Sequence, residues 1–412
     1  MDNQIKFEEL KAQISTCQSS FQAMINNGQI FVDKTDYIYD LCVDDNFKFL
    51  SRPRRFGKST IVSILEELFT HGVKPYDGHE SYFKGLKIEK LWKDPKTYKV
   101  IHLDFSAIKL NSLKSKTSFD KNLNYVFANA TKDFYSDYDF TKKAYRNLQK
   151  ILANSSIDEY VILIDEYDYP LTFSMDDQEM FRYISNELNA IYASIKGYAG
   201  SLRFLFVTGI TRYKDESSFT FGSVIKDVSY MPGFATIAGF TKAEIKKYFR
   251  KHLKFAITKH SDIDKSKISS SLIEEFLDKI EDNYNGYFFD YDCSEKVFST
   301  WDIINFFSNS QADFDGYWFE SGGIPPILVQ NINKIQENLI AIISQEKNIF
   351  VSEDDFEYPT SLVNMNAAVL LYQTGYLTLA EPKNEYGYFL KFPNKKIKDA
   401  IQRLIYKLYP RS

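Results

Sequence analysis

The triplet Gly57-Lys58-Ser59 is the part of the sequence whose residue types point most directly to chemistry. A loop binds phosphate when backbone N–H groups converge on it, a lysine ammonium reaches the terminal phosphates and a hydroxyl is available to magnesium. The triplet supplies these groups, although Arg52 stands where the usual pattern G-x-x-x-x-G-K-[ST] has its first glycine. We therefore predict a phosphate-binding loop. The alternative is a solvated basic loop that begins a helix.

The residues around this triplet extend the predicted loop. Arg52, Arg54 and Arg55 add three positive charges beside it, which favours an anionic ligand. Lys58 is also a candidate catalytic residue, and Ser59 is a candidate magnesium ligand. The residues predicted to bind the phosphate-bearing ligand are Arg54, Arg55, Phe56, Gly57, Lys58, Ser59 and Thr60.

Two carboxylates, Asp165 and Glu166, directly follow the apolar run at residues 160–164. An enzyme with such a loop needs one carboxylate at the end of a buried strand to hold magnesium and a second to orient the attacking water. Asp165 is the predicted magnesium residue, and Glu166 is the predicted base. Ionised groups are costly inside a core, so this strand end should be a polar site. A strand that simply ends in exposed acids is the alternative.

A third polar strand end lies at residues 207–212, with the sequence VTGITR. Thr208 is a candidate for contacting the γ-phosphate or the attacking water. Arg212 is a candidate for stabilising charge on the transferring phosphoryl group. A capped strand end followed by an ordinary surface arginine explains the same residues equally well.

These candidates require strands whose ends meet at one edge of a sheet. Strands alternating with helical stretches predict an α/β fold with a mostly parallel sheet covered on both faces. The clearest helical stretches are residues 58–69, after the loop, and residues 177–195. The predicted strands are residues 47–50, 100–105, 160–164 and 203–210, with residues 235–238 as a candidate fifth.

The remaining elements are predicted from turn-forming residues and from the spacing of apolar residues. A helical lead is expected over residues 7–24, a helix from Thr35, and an irregular loop over residues 109–121. After residue 240 the pattern changes, and Thr241 with Glu244 forms a capping box that begins a helix. We predict a nucleotide-binding domain at 1–240 and an accessory region at 241–412. Further expected elements are helices at 271–280, 331–344 and 364–372, a turn at 322–326, and a hairpin of 376–379 with 388–392.

Composition limits the function classes. The 412 residues carry 51 Lys+Arg against 55 Asp+Glu, a net charge of −4, which argues against a surface devoted to nucleic acid. The three cysteines form no CxxC pair, which indicates a reducing compartment, and no apolar run is long enough for a membrane span. We expect a cytoplasmic protein without a membrane anchor.

The motifs together resemble a bacterial family, the AAA-ATPase-like proteins commonly joined to a C-terminal PD-(D/E)XK nuclease domain. The R-P-R-R-F-G-K-S form of the loop is specific to that family. Further matching segments lie in the second half of the chain, including YNGY at 284–287, YWFESG at 317–322 and YQTGYL at 372–377. The matching segments in the first half are residues 31–35, 50–59, 102–106, 164–168 and 207–212.

The resemblance implies a P-loop NTPase of the class with an additional strand and a catalytic glutamate. It implies ATP and magnesium as ligands, followed by a helical lid and a small winged-helix-like α+β region. By that analogy Lys58 and Ser59 bind phosphate and magnesium, Asp165 is the second magnesium residue and Glu166 is the base. The family's nuclease would follow residue 394, where too few residues remain, so we expect this chain to lack that domain.

Three functions fit these features. The first is an ATPase whose hydrolysis drives a conformational change. The second is an ATP/ADP-gated binding module that recruits a protein partner, or a second copy of itself, through the aromatic region after Gly239. The third is nucleic-acid engagement, suggested by the family's nuclease and by the lysines of residues 109–121, although a solvated loop explains those lysines better.

Overall fold

The structure is a computed structural model, and the description below covers most of the chain. The residues that it describes are 7–14, 19–44, 46–212, 225–261, 267–317, 327–328, 342, 348–357, 359, 362 and 365–408.

A five-stranded sheet forms the centre of the first half of the chain. Its strand order is β2-β3-β4-β1-β5, and every neighbouring pair is parallel. The predicted mostly parallel α/β sheet is therefore confirmed. Strand β4 lies between β1, which precedes the loop, and β3, which ends in the acids, so the additional strand is present as well. The strands are β1 (Phe47–Ser51), β2 (Lys99–Asp104), β3 (Tyr160–Asp165), β4 (Leu202–Gly209) and β5 (Lys226–Asp227).

The predicted fifth strand at residues 235–238 is wrong. Pro232–Phe234 forms a 3-10 turn there, and the following residues continue as a turn toward Gly239. The edge position belongs instead to β5, a strand of two residues that pairs with Lys48 and Phe49 of β1. A strand this short has no periodicity for sequence reasoning to detect.

In the part of the chain that the structure describes, nine helices surround this sheet or precede it. The predicted lead at 7–24 is not one helix, because α1 ends at Lys11 and α2 begins only at Phe21. The predicted loop at 109–121 is also wrong, since a 3-10 turn at Leu110–Lys114 leads into α6. The helices are α1 (Phe7–Lys11), α2 (Phe21–Asn26), α3 (Thr35–Val43), α4 (Lys58–His71), α5 (Lys87–Leu91), α6 (Lys116–Thr131), α7 (Ala144–Ala153), α8 (Tyr169–Thr172) and α9 (Gln178–Gly197).

Helix α6 forms because it has an apolar stripe. The polar residues between the positions of the stripe make it hard to detect in the sequence. Phe119, Leu123 and Phe127 recur every four residues and are all buried against the sheet layer. Lys116, at the first turn, pairs with Glu179 of α9 at 2.5 Å. One of the lysines that suggested nucleic-acid contact is therefore engaged within the fold.

The helices after Gly239 pack around a second hydrophobic cluster, to which Ile14 and Val32 also belong. Thr241 and Glu244 form both hydrogen bonds of the predicted capping box. The apolar faces of these helices meet around Phe249, Phe276 and Phe306. The four helices are α10 (Lys242–Tyr248), α11 (Arg250–Ser261), α12 (Ser270–Tyr284) and α13 (Thr300–Ser308).

A small antiparallel sheet with order β6-β8-β7 follows, and β7 with β8 is the predicted hairpin. Its residues Tyr388 and Leu390 belong to the same hydrophobic cluster as the large sheet. The predicted helix at 331–344 and turn at 322–326 lie outside the described residues, apart from Ile342. A domain boundary after residue 240 stays a prediction. The elements are β6 (Ile349–Ser352), β7 (Thr378–Leu379), β8 (Gly387–Lys391), α14 (Glu353–Glu357), α15 (Ala367–Gln373) and α16 (Lys395–Leu408).

The ends of β3 and β4 are joined by a buried carboxylate. Asp168 is 1% exposed and accepts hydrogen bonds from the backbone N–H of Thr211 at 2.7 Å and from its hydroxyl at 2.5 Å. The hydroxyl of Tyr167 donates to the carbonyl of Thr211 at 2.9 Å. Gly209 fits under these two side chains because it has no Cβ.

Gly209→Ala tests this junction. A Cβ at this position would come within 2.5 Å of both Asp168 Oδ1 and the Tyr167 ring. We expect the free energy of unfolding to fall by about 1–3 kcal/mol, since overpacking forces neighbouring groups to move. Gly200→Ala is the matched control, because nothing lies within 4 Å of its Cβ position. Urea unfolding of both variants makes the comparison, and equal stabilities would contradict the expectation.

Candidate functional site

The predicted phosphate-binding loop connects β1 to α4. Gly57 has φ 88°, a left-handed conformation that suits glycine, and α4 begins at the next residue, Lys58. The free N–H groups and dipole of a helix N-terminus favour an anion at this point. The ammonium of Lys58 is buried and donates to the carbonyls of Arg52 and Pro53, both at 3.0 Å. Burial lowers the pKa of Lys58, and the carboxylates of Glu166 and Asp165 oppose that shift.

Arg52, which replaces the usual first glycine, points into the protein rather than toward the ligand side. Its guanidinium donates to the carbonyls of Ser51 at 2.9 Å, Ser229 at 2.5 Å and Phe234 at 3.0 Å. It also lies 4.5 Å from the ring centre of Phe289. Burial lowers its pKa to about 10, so Arg52 stays charged at neutral pH. The expectation that all three arginines face an anion is therefore wrong for Arg52.

The middle of the loop is attached to α13. Arg55 has φ 74°, and its carbonyl accepts hydrogen bonds from the Thr300 hydroxyl at 2.6 Å and from the Trp301 N–H at 3.4 Å. Its guanidinium lies 5.7 Å from the centre of the Trp301 ring. Phe56 packs edge-to-face on Tyr287 and Phe289, both at 4.9 Å between ring centres. Residues far along the chain thus fix the loop's conformation.

The acidic end of β3 lies beside the start of α4. Asp165 is 4% exposed, and burial raises the pKa of its carboxyl, with Ser59 and Lys58 opposing that shift. Glu166 has φ 52°, and its N–H donates to Asp165 Oδ1 at 2.9 Å. Burial raises the pKa of Glu166, and the charge of Lys58 opposes that shift. The sequence therefore folds so that the predicted base and the predicted magnesium residues adjoin.

Ser59 and Asp165 fit a small oxygen-seeking cation. Both side chains line one polar cavity, and a hydroxyl with one carboxylate is a donor set that Mg²⁺ accepts when phosphate and water complete its shell. The described residues include no cluster of three or more His, Cys, Asp or Glu that would form a larger metal cage. Magnesium would therefore take most of its ligands from the phosphates and from water rather than from the protein.

Two adjoining cavities meet at this point. One, of about 450 Å³, extends from the loop to an apolar wall; the loop residues from Arg54 to Thr60 and Glu166 line it, together with Ile30, Phe31, Val32, Phe240, Phe249 and Trp301. The other, of about 590 Å³, is polar and contains Ser59, Asp104, Asp165 and Glu166. All seven predicted phosphate-binding residues thus line a single cavity.

Thr208 and Arg212 are directed elsewhere. The Thr208 hydroxyl is fully buried and donates to the carbonyl of Leu50 at 2.7 Å, across the β1–β4 pair. Arg212 pairs with Asp227 at 2.5 Å and donates to the carbonyl of Glu357 at 2.7 Å. Neither residue lines the two cavities. Their side chains instead make contacts on the side of the sheet formed by β1, β4 and β5.

Several lining residues were not predicted from the sequence. Asp104 is the last residue of β2, Ser106 follows that strand, and Tyr169 begins α8; each adds a polar group to the site. Asp104 ends β2 as Asp165 ends β3, although the predicted strand at 100–105 extended past Asp104. Phe31 carries no chemical signal, since its place in the lining depends on where α10–α13 lie.

The loop connects the buried strand β1 to helix α4, and the two acids lie at the end of β3, which β4 separates from β1 in the sheet. This arrangement defines a P-loop NTPase of the additional-strand class. Comparison with known proteins agrees. Residues 16–219 match the AAA-ATPase-like family, described as predicted AAA-ATPases, and this part of the chain belongs to that family.

Two individual proteins are also similar. An uncharacterized protein from the 5′ region of vnfD in Azotobacter chroococcum mcd 1 is 24% identical over 382 residues, which are 92% of this chain and 67% of the relative. Among solved structures, a Walker-type ATPase of Pyrococcus abyssi aligns with 12% identity and a TM-score of 0.40, over 91% of this chain and 96% of the other. In the described part of the chain, no helix has the length and apolar character needed to cross a bilayer.

Restoring the usual glycine with Arg52→Gly tests the inward role of this arginine. The change would leave the buried carbonyls of Ser229 and Phe234 without their donors, so we expect stability to fall by about 2–4 kcal/mol. Arg54→Gly is the matched control, because Arg54 is half-exposed at the cavity. Urea unfolding measures both variants. A loss that is equal or larger in Arg54→Gly would contradict this assignment.

Asp302 generates a prediction about pH. This carboxylate, in the first turn of α13, is 3% exposed, and burial raises its pKa from 3.8 to about 7, with Arg55 and Ser299 opposing the shift. Between these two pH values the folded state binds more protons than the unfolded chain. Its stability must therefore fall as the pH rises through that window.

Asp302→Asn should remove this part of the pH dependence. We expect the loss of unfolding free energy between pH 5 and pH 8 to be smaller in the variant by roughly 2 kcal/mol. Asp315→Asn, at an exposed position in the same region, is the control. Urea titrations at several pH values provide the measurement. If the unfolding free energies of the native chain and of Asp302→Asn change with pH in the same way, Asp302 is not the source of this pH dependence.

Proposed function

We propose that this protein binds ATP with magnesium and hydrolyses it. The observation that carries the proposal is the convergence of Lys58, Ser59, Asp165 and Glu166 at one edge of the sheet, around two joined cavities. Each of these residue types is one that phosphoryl transfer requires, and the family assignment of residues 16–219 supports the same chemistry.

The loop binds the phosphates through backbone N–H groups at the start of α4 and through Lys58. In the structure the Lys58 ammonium is held by the carbonyls of Arg52 and Pro53, so phosphate oxygens would replace or supplement these acceptors. When bound, magnesium neutralises charge on the phosphates. The Ser59 hydroxyl and the Asp165 carboxylate are the protein groups that would hold it.

Glu166 is proposed as the base that orients the attacking water and accepts its proton. It lines both cavities, and its backbone is held in the left-handed region by the strand end. Strained backbone of this kind is retained where the surroundings enforce it, often at catalytic positions. The nearby ammonium of Lys58 favours the ionised carboxylate that a base requires.

Arg54 is the better candidate for stabilising charge on the transferring phosphoryl group. It lines the nucleotide cavity, and its charge acts on Lys58, Glu166 and Tyr169 around that cavity. Arg212, by contrast, is occupied by Asp227 and the Glu357 carbonyl. We therefore propose Arg54 for the role first predicted for Arg212.

The attachment of the loop to α13 favours a second candidate function, a nucleotide-gated binding module. Any change in the loop on nucleotide exchange must act on Thr300 and Trp301 through the Arg55 carbonyl. Tight binding of ATP and ADP without turnover, together with a partner that binds one of these forms only, would favour the switch over the enzyme.

Three variants test hydrolysis. Lys58→Ala should weaken nucleotide binding at least about tenfold, because it removes the cation that reaches the terminal phosphates. Glu166→Gln should spare binding and lower the hydrolysis rate by a factor on the order of 100 or more. Lys121→Ala, on the exposed face of α6, is the matched control. Calorimetry with ATP and a phosphate-release assay with and without magnesium provide the readouts.

The outcomes separate binding from chemistry. Absence of magnesium-dependent phosphate release from the native chain would overturn the enzyme proposal, whereas unchanged ATP affinity in Lys58→Ala would overturn the proposed site. The same assays on Arg54→Ala and Arg212→Ala compare the two arginines. We expect Arg54→Ala to lose turnover while remaining folded, and Arg212→Ala to lose thermal stability first.

A further inference from the structure

The backbone that follows β4 is held by a side chain from a distant part of the sequence. The side-chain carbonyl oxygen of Gln373, Oε1, accepts a hydrogen bond from the Arg212 N–H at 3.0 Å, and its amide nitrogen, Nε2, donates to the Arg212 carbonyl at 2.9 Å. One glutamine thus satisfies both backbone groups of one residue, as a neighbouring strand does in a sheet. We call this pair of hydrogen bonds the Gln373 clamp.

The surroundings of Gln373 show that the clamp is its task. Gln373 is the last residue of α15, a helix whose seven residues are all buried, and it is 3% exposed itself. A buried amide group costs free energy unless its hydrogen bonds are made. The polar end of this side chain therefore serves the Arg212 backbone rather than the packing of α15.

The clamped residue adjoins the junction between β3 and β4. Thr211, the residue before Arg212, donates from its N–H and from its hydroxyl to the carboxylate of Asp168. Its carbonyl accepts a hydrogen bond from the Tyr167 hydroxyl. Hydrogen bonds therefore connect the clamp to the two residues that directly follow Glu166, the proposed base.

The conformation of Glu166 depends on what holds these two residues. Its backbone has φ 52°, which a residue other than glycine rarely adopts unless its surroundings enforce it. The N–H of Tyr167 donates to the Thr208 carbonyl of β4 at 3.1 Å, and the N–H of Tyr169 donates to the Glu166 carbonyl at 3.0 Å. The chain after Glu166 is thus anchored on β4, and the continuation of β4 is anchored on α15.

We propose that Gln373 is a positioning residue for the base, because its hold on the Arg212 backbone keeps Glu166 aligned with the attacking water. Gln373 lines neither of the two cavities, so it acts on the reaction only through Glu166. Its role rests on the proposed function, since hydrolysis is what gives Glu166 the task of a base. A small misplacement of a catalytic group lowers a rate by a large factor. Helix α15 should therefore control the rate of hydrolysis and not the affinity for ATP.

Gln373→Met tests this role, because methionine has nearly the size of glutamine and makes neither hydrogen bond. We expect magnesium-dependent phosphate release to slow by about 10-fold or more, while the dissociation constant for ATP changes by less than about 2-fold. Val369→Ala is the matched control, since Val369 is fully buried in the same helix and lies outside the clamp. It should lower thermal stability and keep the rate of the native chain. Gln373→Asn, which keeps the amide but is one methylene shorter, should slow release as Gln373→Met does.

Hydrogen exchange followed by mass spectrometry measures the clamp without turnover. In Gln373→Met the amides of residues 208–212 and of residues 165–169 should exchange about 10-fold faster than in the native chain, because these segments then open locally without breaking the clamp. Residues 61–69 of α4 are the internal reference, and their exchange should not change. Relative to this reference, Val369→Ala should leave both segments as they are in the native chain.

Several results would overturn the proposal. An unchanged rate in a folded Gln373→Met removes the positioning role, and an equal loss of rate in Val369→Ala reduces it to a general loss of stability. A rise of about 10-fold or more in the dissociation constant for ATP would place Gln373 in binding instead. A native chain that releases no phosphate contradicts the proposed function itself, and unchanged exchange at residues 165–169 in Gln373→Met contradicts the clamp separately. Circular dichroism identifies the folded variants, and Gln373→Asn decides if Gln373→Met is not folded.

Discussion

The conformation of the phosphate-binding loop depends on the buried guanidinium of Arg52. In the usual loop a glycine at this position allows the backbone to turn without a side chain. Here the side chain turns inward and bonds the carbonyls of Ser229 and Phe234, which lie about 180 positions further along the chain. A planar group with several donors can join three backbone carbonyls at once, which a lysine could not do with fixed geometry. The cost of burying its charge is offset by these hydrogen bonds and by the ring of Phe289.

Because of this arrangement the site is assembled from both ends of the sequence. Arg52 and Phe56 reach residues 287–289, the Arg55 carbonyl reaches α13, and the apolar wall of the cavity combines Phe31 with Phe249. Lys34 extends the connection, since its buried ammonium bonds the Thr236 carbonyl at 2.5 Å and pairs with Glu244 at 2.8 Å. The residues after Gly239 therefore complete the cavity as well as cover it.

The sequence predicted the parts of this site that depend on local pattern. Lys58, Ser59, Asp165 and Glu166 could be found because each follows an apolar strand or begins a helix, and such positions meet at one edge of a parallel sheet. The direction of Arg52 could not be found, since its partners are backbone carbonyls that any residue type supplies. The partner of Arg212 could not be found for a similar reason, because Asp227 lies in a two-residue strand without a detectable pattern. Helix α6 was missed because serine and lysine residues dilute the stripe formed by Phe119, Leu123 and Phe127.

The position of β4 between β1 and β3 also determines how far the loop lies from the two acids. Neighbouring strands lie about 4.8 Å apart, so an interposed strand separates the backbone of the loop strand from that of the acid strand by roughly 10 Å. Thr208, near the end of β4, is buried, and its hydroxyl donates to the carbonyl of Leu50 and so joins this strand end to β1. Strand β4 is thus a spacer that keeps the strand carrying the two acids one strand away from the strand that precedes the loop.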